Sequence, residues 1–567
     1  MKTSTYKKNI AEVIIDNNLG WNVVSISNSK VWFKYGLSNN HRVDFFERLV
    51  NIIENSKIIP IELKHLLSNV NWHFSIIIQY KDKVIAIVDM VRTIPVYYLD
   101  EKVKKISNSP HALVSSNINN LNNINTQAAL EISMSGYTIG HKTLYRNLNQ
   151  ITAGECVLIE NNKLERIYYY SYSPWKRREG SYSFFKKQLT ECIVNTFEEL
   201  IDDANGRQIA IPLSAGSDSR LVASTLKYLG YKNVVCFAYG RKKNYESTTS
   251  QAVAEKLGFR WFHIPLNARS QQMFFLSSEF SEYCRRFDTF ASTPFIQDVS
   301  VMSILNQNNM ISDDAIIVNG NTGDYISGGH IPKSINNHSL SKGNTRYTNN
   351  ESWLNFLDKN FSLWKVLRTQ ETDNLIQESF FQLFQDRNLL FPDDIQTLHG
   401  KFESMEYLTR QSKYIVNMQR SYELYDYEWS MPLWSKNFLD FWEEIPVEYK
   451  LDRKLYKETI IDNNWGEVWE NIPLNSGTIL PPISNILRNM SKIMFAPFGA
   501  DAWHSFERNV FQYFLDDTKN SAIVPYHKVL FDRRGQSNWI SWWTELYIQS
   551  RGLDGISKDF IKKLQKQ

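Results

Sequence analysis

The sequence predicts an α/β protein: a sheet-rich N-terminal part, then a doubly wound parallel sheet that continues into a mainly helical C-terminal region. Three observations predict it. Short runs rich in Ile, Val, Tyr and Phe, broken by Asn, Lys, Asp and Gly, recur over the first 170 or so residues, as in antiparallel sheets. From Gln208 onward strands and helices alternate strictly, the pattern of a parallel sheet. Beyond Phe275 the periodicity is helical, with one more strand at Ala315 to Val318. A chain of 567 residues, 43% hydrophobic and 14% aromatic, exceeds one ordinary core and has the apolar surface to fill more than one.

Taken in order, the predicted N-terminal strands are Trp21 to Ile26, Val31 to Tyr35, His73 to Tyr80, Val84 to Asp89, Pro95 to Leu99 and Glu155 to Glu160. Polar residues from Ser171 to Gly180, with Pro174 and the basic run Lys176, Arg177 and Arg178, mark a solvated linker. An entry helix follows at Tyr182 to Ala204, spaced through Leu189, Ile193, Phe197 and Ile201. The alternating unit reads as strand Gln208 to Leu213, helix Arg220 to Leu229 stopped by Gly230, and strand Val234 to Tyr239. Helix Ser247 to Leu257, stopped by Gly258, and strand Trp261 to Leu266 complete it. Residues 331–352 are polar enough to read as a mobile loop. The expected division is 1–172, 173–204 and 205–567.

A formal charge of +4 on a chain this long gives no reason to expect nucleic acid or an anionic membrane as partner. Cys156, Cys192, Cys236 and Cys284 are widely spaced, without metal-ligand pattern, and read as reduced thiols. The first residues lack a secretory apolar stretch and no segment supplies about 18 uninterrupted apolar residues, so a cytoplasmic protein without membrane insertion is expected.

The chemistry concentrates in Leu213-Ser214-Ala215-Gly216-Ser217-Asp218-Ser219-Arg220, between the first strand and first helix of the alternating unit, where open α/β sheets bind ligands. Small residues let backbone N–H groups approach an anion and the helix N-terminus adds partial positive charge, so the turn suits a pyrophosphate held by Ser214, Gly216 and Ser219. Asp218 beside phosphates calls for a bridging hard cation, normally Mg²⁺. The segment resembles the Ser-Gly-Gly-x-Asp-Ser pyrophosphate loop of the asparagine-synthetase-like ATP pyrophosphatases, with Ala215 in place of one Gly. A second segment, Gly320-Asn321-Thr322-Gly323-Asp324-Tyr325-Ile326-Ser327-Gly328-Gly329, is similar in spacing to that family's glycine-rich loop. The resemblance places Gly320 at the nucleotide and Asp324 opposite Asp218 on the same metal. A third, Glu428-Trp429-Ser430-Met431-Pro432-Leu433, resembles the family's Glu-x-Arg-x-Pro-Phe segment, with Ser430 where the family has Arg. Asp452 to Lys457 lies where the family carries its catalytic lysine. Lys454 is assigned that role, although an ungapped comparison sets Arg453 there and Lys457 is a further cation of the run. Phe237 and Ala238, at a strand end, are candidates for an adenine pocket or for plain core.

Residues 72 to 170 resemble the same family's glutaminase domain through Asp89 to Tyr98, Gly136-Tyr137, Thr143-Leu144 and Ala153-Gly154-Glu155. Glutamine hydrolysis there needs a first-position cysteine, whereas this chain has Lys2 and offers Thr3, Ser4 or Thr5 only after processing. The resemblance therefore implies an Ntn-hydrolase-like domain without its nucleophile, as in β-lactam synthetase, ahead of a PP-loop synthetase domain. The implied activity is ATP- and Mg²⁺-dependent, AMP-forming amide synthesis: a small-molecule carboxylate is adenylated and passed to an amine or ammonia. The resemblance also implies a separate glutaminase or a homo-oligomer as partner. Asn321 and Tyr325 stand where the family has acidic residues, which leaves Glu428 as the expected general base. The departures resemble relatives from bacterial surface-polysaccharide loci, implying a sugar acid or attached acyl group as substrate. The rival reading is a nucleotide-binding scaffold without catalysis.

Overall fold

The computed structural model describes residues 11–37, 43–114, 123–241, 244–474, 482–515, 517–534, 538–557 and 559–566. Lys2 and Thr3 to Thr5 lie outside the described residues.

The N-terminal part holds two sheets. Strands β1 (Glu12–Ile14), β2 (Asn22–Ile26), β3 (Ser29–Tyr35), β4 (Phe74–Tyr80), β5 (Lys83–Val88), β6 (Tyr97–Leu99), β7 (Lys105–Ser107), β8 (Leu148–Gln150), β9 (Glu155–Glu160) and β10 (Lys163–Tyr168) divide between them. One has the order β10-β9-β5-β4-β3-β2 and is antiparallel throughout, the other β1-β7-β6-β8. Alternation along each strand separates two cores. Trp32, Ile77, Ala86 and Val157 of the larger sheet meet Tyr98 and Ile106 of the smaller one between the sheets. The opposite face of the larger sheet, with Ile76, Ile78, Ile85 and Ile87, packs on helices Val43–Asn55 and Ile59–Leu67. The result is two sheets layered face to face, with helices on the outer face of the larger one.

Strands β11 (Ile209–Pro212), β12 (Val234–Gly240), β13 (Arg260–Pro265), β14 (Ile316–Val318) and β15 (Glu428–Ser430) form a wholly parallel sheet in the order β13-β12-β11-β14-β15. The chain moves outward from β11 to β13 and then returns to the other side of β11 for β14. The winding thus reverses between β11 and β14, and the crevice beyond their C-terminal ends is the binding position such sheets offer. Apolar residues with no polar alternation, Ile209 to Ile211 and Ile316 to Val318, are buried on both faces, as a sheet covered on both sides requires. The entry helix runs Tyr182–Ala204 with Leu189, Ile193 and Phe197 fully buried.

Two expectations are corrected. Residues 331–352 are not a loop: helix Asn337–Lys342 and the start of helix Thr345–Asn360 occupy them, each opened by an asparagine cap, Asn336 and Asn344. The basic run 176–178 is not merely solvated either, because Lys176, Arg177 and Arg178 pair with Glu443, Glu448 and Glu444 and tie the linker to the helical part. The tryptophans of helix Trp539–Gln549 pack: Trp542 meets Trp364 edge-on while Arg534 lies over both rings. No described helix is long and apolar enough to cross a membrane.

Candidate functional site

The site is assembled from the two loops at the β11/β14 switch point. After Pro212 the chain turns at Ser214 and Gly216, both exposed, and enters helix Ser217–Tyr228 with Asp218 in its first turn. The turn is held from inside: the buried Ser219 hydroxyl accepts from the Ser214 N–H at 3.0 Å, and Ser214 Oγ accepts from the Gly216 N–H at 3.1 Å. Arg220 is structural, since its guanidinium donates to the carbonyls of Ala215, Val468, Ile472 and Pro473 and anchors the turn from below.

The second loop approaches as closely as backbone allows. A Cβ on Gly320 would stand 2.5 Å from the Asp218 carbonyl carbon and 2.6 Å from the Ser219 nitrogen, and one on Gly323 would stand 2.7 Å from the Asp218 carboxyl carbon. Only glycine permits that approach. Asp324 follows at once and opens a π-helical turn, Tyr325–Gly329, a form that recurs at functional sites.

Arg453 lies between the two carboxylates. Its guanidinium donates to Asp218 Oδ1 at 2.5 Å, to Ser327 Oγ at 2.7 Å and to Ser217 Oγ at 3.2 Å, and its charge also reaches Asp324. Tyr456 donates to the same Asp218 Oδ1 at 2.9 Å. Ser217 Oγ donates there too, at 3.0 Å. Three donors thus converge on one carboxylate oxygen, and Asp218 Oδ2 makes no hydrogen bond to described residues. Asp324 Oδ2 bonds His330 Nε2 at 3.0 Å, and His330 Nδ1 bonds Glu406 at 2.5 Å. Burial would raise the Asp324 carboxyl, but His330 and Arg453 outweigh it and hold the group well below the usual carboxylate range. Burial likewise opposes, and His330 overcomes, at Glu406, which is held at about 2. His330 is raised in turn: desolvation works against its charge and the two carboxylates win. Lys359 and Arg410 stand beyond Glu406, so the charges alternate outward from the cleft.

Among the described residues no three His, Cys, Asp or Glu side chains stand together as a metal site, and the two carboxylates are by their chemistry hard oxygen donors of the kind a divalent cation takes. Asp324 stays ionised, Asp218 keeps one oxygen uncommitted, and the remaining ligands of such an ion can come from phosphate oxygens and water.

The predicted residues are distributed as follows. Ser214, Gly216, Asp218, Ser219, Gly320 and Asp324 come together. Glu428 does not join them. It begins β15, in register with Ile316 at the N-terminal edge of the sheet, and its carboxylate pairs with Arg207 at 2.6 Å. In a parallel sheet that edge is opposite the loops. Lys454 is exposed, with its ammonium over the Tyr182 ring at 5.0 Å, while its neighbour Arg453 occupies the cleft. Phe237 and Ala238 are buried in β12, with Phe237 stacked on Phe262. Asn321 donates to Met418 Sδ, and Tyr325 is buried with its hydroxyl on the Glu403 carbonyl, so neither is a base. His330, Glu406 and Tyr456 escaped the sequence reading. His330 carried a signal, as the residue directly after Gly328-Gly329; Glu406 carried none, standing 76 residues further along.

The asparagine synthase family pattern matches residues 204–460. No curated protein matches. Among solved structures, the glutamine phosphoribosylpyrophosphate (PRPP) amidotransferase from B. subtilis complexed with ADP and GMP is similar at 9% identity and a TM-score of 0.17. That similarity covers 53% of this chain and 63% of that one, so the match spans less than two thirds of the amidotransferase. Residues 204–460, which bring both glycine-rich loops and Arg453 together, are thus an asparagine-synthase-like domain, similar at the family level to ATP-dependent, amide-bond-forming synthetases.

Proposed function

We propose that the chain is an AMP-forming amide synthetase that adenylates a small-molecule carboxylate and passes it to an amine or ammonia. The observation that carries the reading is the convergence of Asp218 and Asp324, from adjacent strand ends, on either side of Arg453. In this reading Asp218 and Asp324 are the residues that would hold Mg²⁺, which would supply neutralisation of phosphate charge. The exposed turn at Ser214 and Gly216 and the N-terminus of helix Ser217–Tyr228 hold the pyrophosphate that leaves as the substrate carboxylate attacks the α-phosphate. Arg453, fixed by Ser217 and Ser327, meets the charge that develops there. The Glu406–His330 pair orients Asp324. The amine then attacks the acyl carbon of the adenylate, forming the amide and releasing AMP.

We divide the chain into a glutaminase-like part at 1–172, a linker and entry helix at 173–204 and the synthetase at 205–567. The N-terminal part is read as structural. The four cysteines are free, and burial pushes their thiols up, Cys192 to about 12, which suits buried packing in a reducing cytoplasm rather than a nucleophile. A sugar acid or attached acyl group is the proposed substrate class. The scaffold reading draws on Asn321 and Tyr325, neither of them acidic. Carboxylate-dependent exchange of pyrophosphate into ATP decides between the two: exchange that requires Mg²⁺ and is lost in Asp218→Asn and Asp324→Asn supports synthesis. Binding of Mg-ATP without exchange across a panel of sugar acids and acyl carboxylates refutes it.

A further inference from the structure

Away from the nucleotide cleft, helices Thr345–Asn360, Gln370–Asp386 and Leu398–Glu406 enclose a half-open cavity of about 470 Å³. Its volume lies in the range of small-molecule sites, and eight of its fourteen lining residues are apolar, five of them aromatic, with Asn and Gln amides among the rest. Trp353, Phe380, Phe384 and Phe391 line it, with Trp353 edge-on to Phe380 and Phe384 edge-on to Phe391 at 4.6 Å. Phe381 and Leu390 stand at its rim 61% and 81% exposed, an apolar lip that water covers poorly.

One cation faces this apolar space. The Lys401 ammonium makes a single long hydrogen bond, 3.5 Å to Asn349 Oδ1, and lies over the Phe402 ring at 5.8 Å. Among the described residues no carboxylate is within ion-pair distance of it; Asp393 acts on it only through its more distant charge, and burial lowers its proton affinity. A half-buried ammonium without a counter-ion is costly unless an anion completes it. Lys401 and Met405, one helical turn apart, face the cavity, whereas Glu403 and Glu406 of the same helix point elsewhere, to Lys450 and His330. The cavity and the nucleotide cleft therefore use different faces of one helix.

We propose that this cavity is a second small-molecule site, which takes a monocarboxylate with an aromatic or other compact apolar body and pairs its carboxylate with Lys401. The carboxylate bound here is not the one activated between Asp218 and Asp324. The occupant is a small molecule rather than a protein because the space is concave and closed on three sides by helices, with a single charge at one wall.

The test is calorimetric titration of the full chain with 4-phenylbutyrate, 4-phenylbutan-1-ol and 4-phenylbutylamine, which share a body and differ in the head group. The acid should bind at one site at least about tenfold more tightly than the alcohol, the size of one charge-assisted bond, and the amine most weakly. Lys401→Met keeps the stem and should bring acid and alcohol within about threefold, while Phe384→Ala should weaken both by about tenfold. Circular dichroism matching the unmodified chain confirms that each variant folds. Equal affinity for acid and alcohol, no saturable heat from either, an acid preference that survives Lys401→Met, or displacement of the acid by Mg-ATP would each overturn the proposal. The last result would place the ligand in the nucleotide cleft, and none of these outcomes depends on whether the chain makes amides.

Discussion

Replacing Gly320 with alanine tests the contact on which the cleft is built. The added Cβ would meet the Asp218 carbonyl carbon at 2.5 Å, the Ser219 nitrogen at 2.6 Å and the Asp218 oxygen at 2.8 Å. Ordinary contacts between such atoms need about 3.5 Å, so the loops must part by roughly 1 Å. All three obstacles are backbone at the first turn of a helix whose Leu221, Val222 and Ala223 are fully buried, and none can rotate aside. Overpacking of this kind costs about 1–3 kcal/mol, and a shift of about 1 Å between reacting groups slows chemistry by about 10²-fold. Gly216→Ala is the control for stability. Its Cβ would meet only the Ser214 hydroxyl, at 3.2 Å, which can turn away, so the change should stay within about 0.5 kcal/mol. Urea unfolding at matched m-values reads the first quantity and pyrophosphate exchange the second. A Gly320→Ala chain as stable and as active as the unmodified one would refute the geometry of the cleft.

Arg453→Met should lower pyrophosphate exchange by about 10²- to 10³-fold, whereas Lys454→Met should change it by less than about threefold, as expected for one cation in the cleft and one on the surface. Glu406 contributes stability through its depressed carboxyl: with an ordinary value of 4.5 and a folded value of about 2, the difference of about 2.5 corresponds to roughly 3 kcal/mol. That stability is present above pH 4.5 and is lost as pH falls toward 2. Glu406→Gln should therefore unfold at lower urea than the unmodified chain at pH 7, and the gap should narrow by pH 3. Glu428→Gln should leave exchange within about twofold and stability within about 1 kcal/mol, since its bond to Arg207 is a partly exposed pair at the far edge of the sheet. Loss of exchange in that variant would return Glu428 to the chemistry.

Local chemistry made the turn at Ser214 legible. Ser214 to Ser219 and Gly320 to Asp324 are short segments whose small residues and single carboxylates mark a close approach of two loops without help from neighbours. The entry helix is predicted and found at Tyr182–Ala204 because its apolar spacing and the Ser181 cap act within the helix itself. Residues 331–352 misled for a related reason, because the asparagines that cap two helices there also give them the composition of a loop.

By itself the sequence determined the alternating unit, its two glycine-rich turns and the carboxylate each carries, since strand periodicity, capping and close backbone approach are properties of neighbouring residues. The tertiary structure alone decided which cation enters the cleft, which end of the sheet Glu428 occupies, that Glu406 reaches Asp324 through His330, and that Lys401 faces an aromatic cavity. Those outcomes depend on strand direction, helix rotation and the meeting of segments far apart in the chain. Arg453 stands in the left-handed region, φ 61°, just ahead of helix Lys454–Asn463, and that turn separates Arg453 in the cleft from Lys454 in solvent.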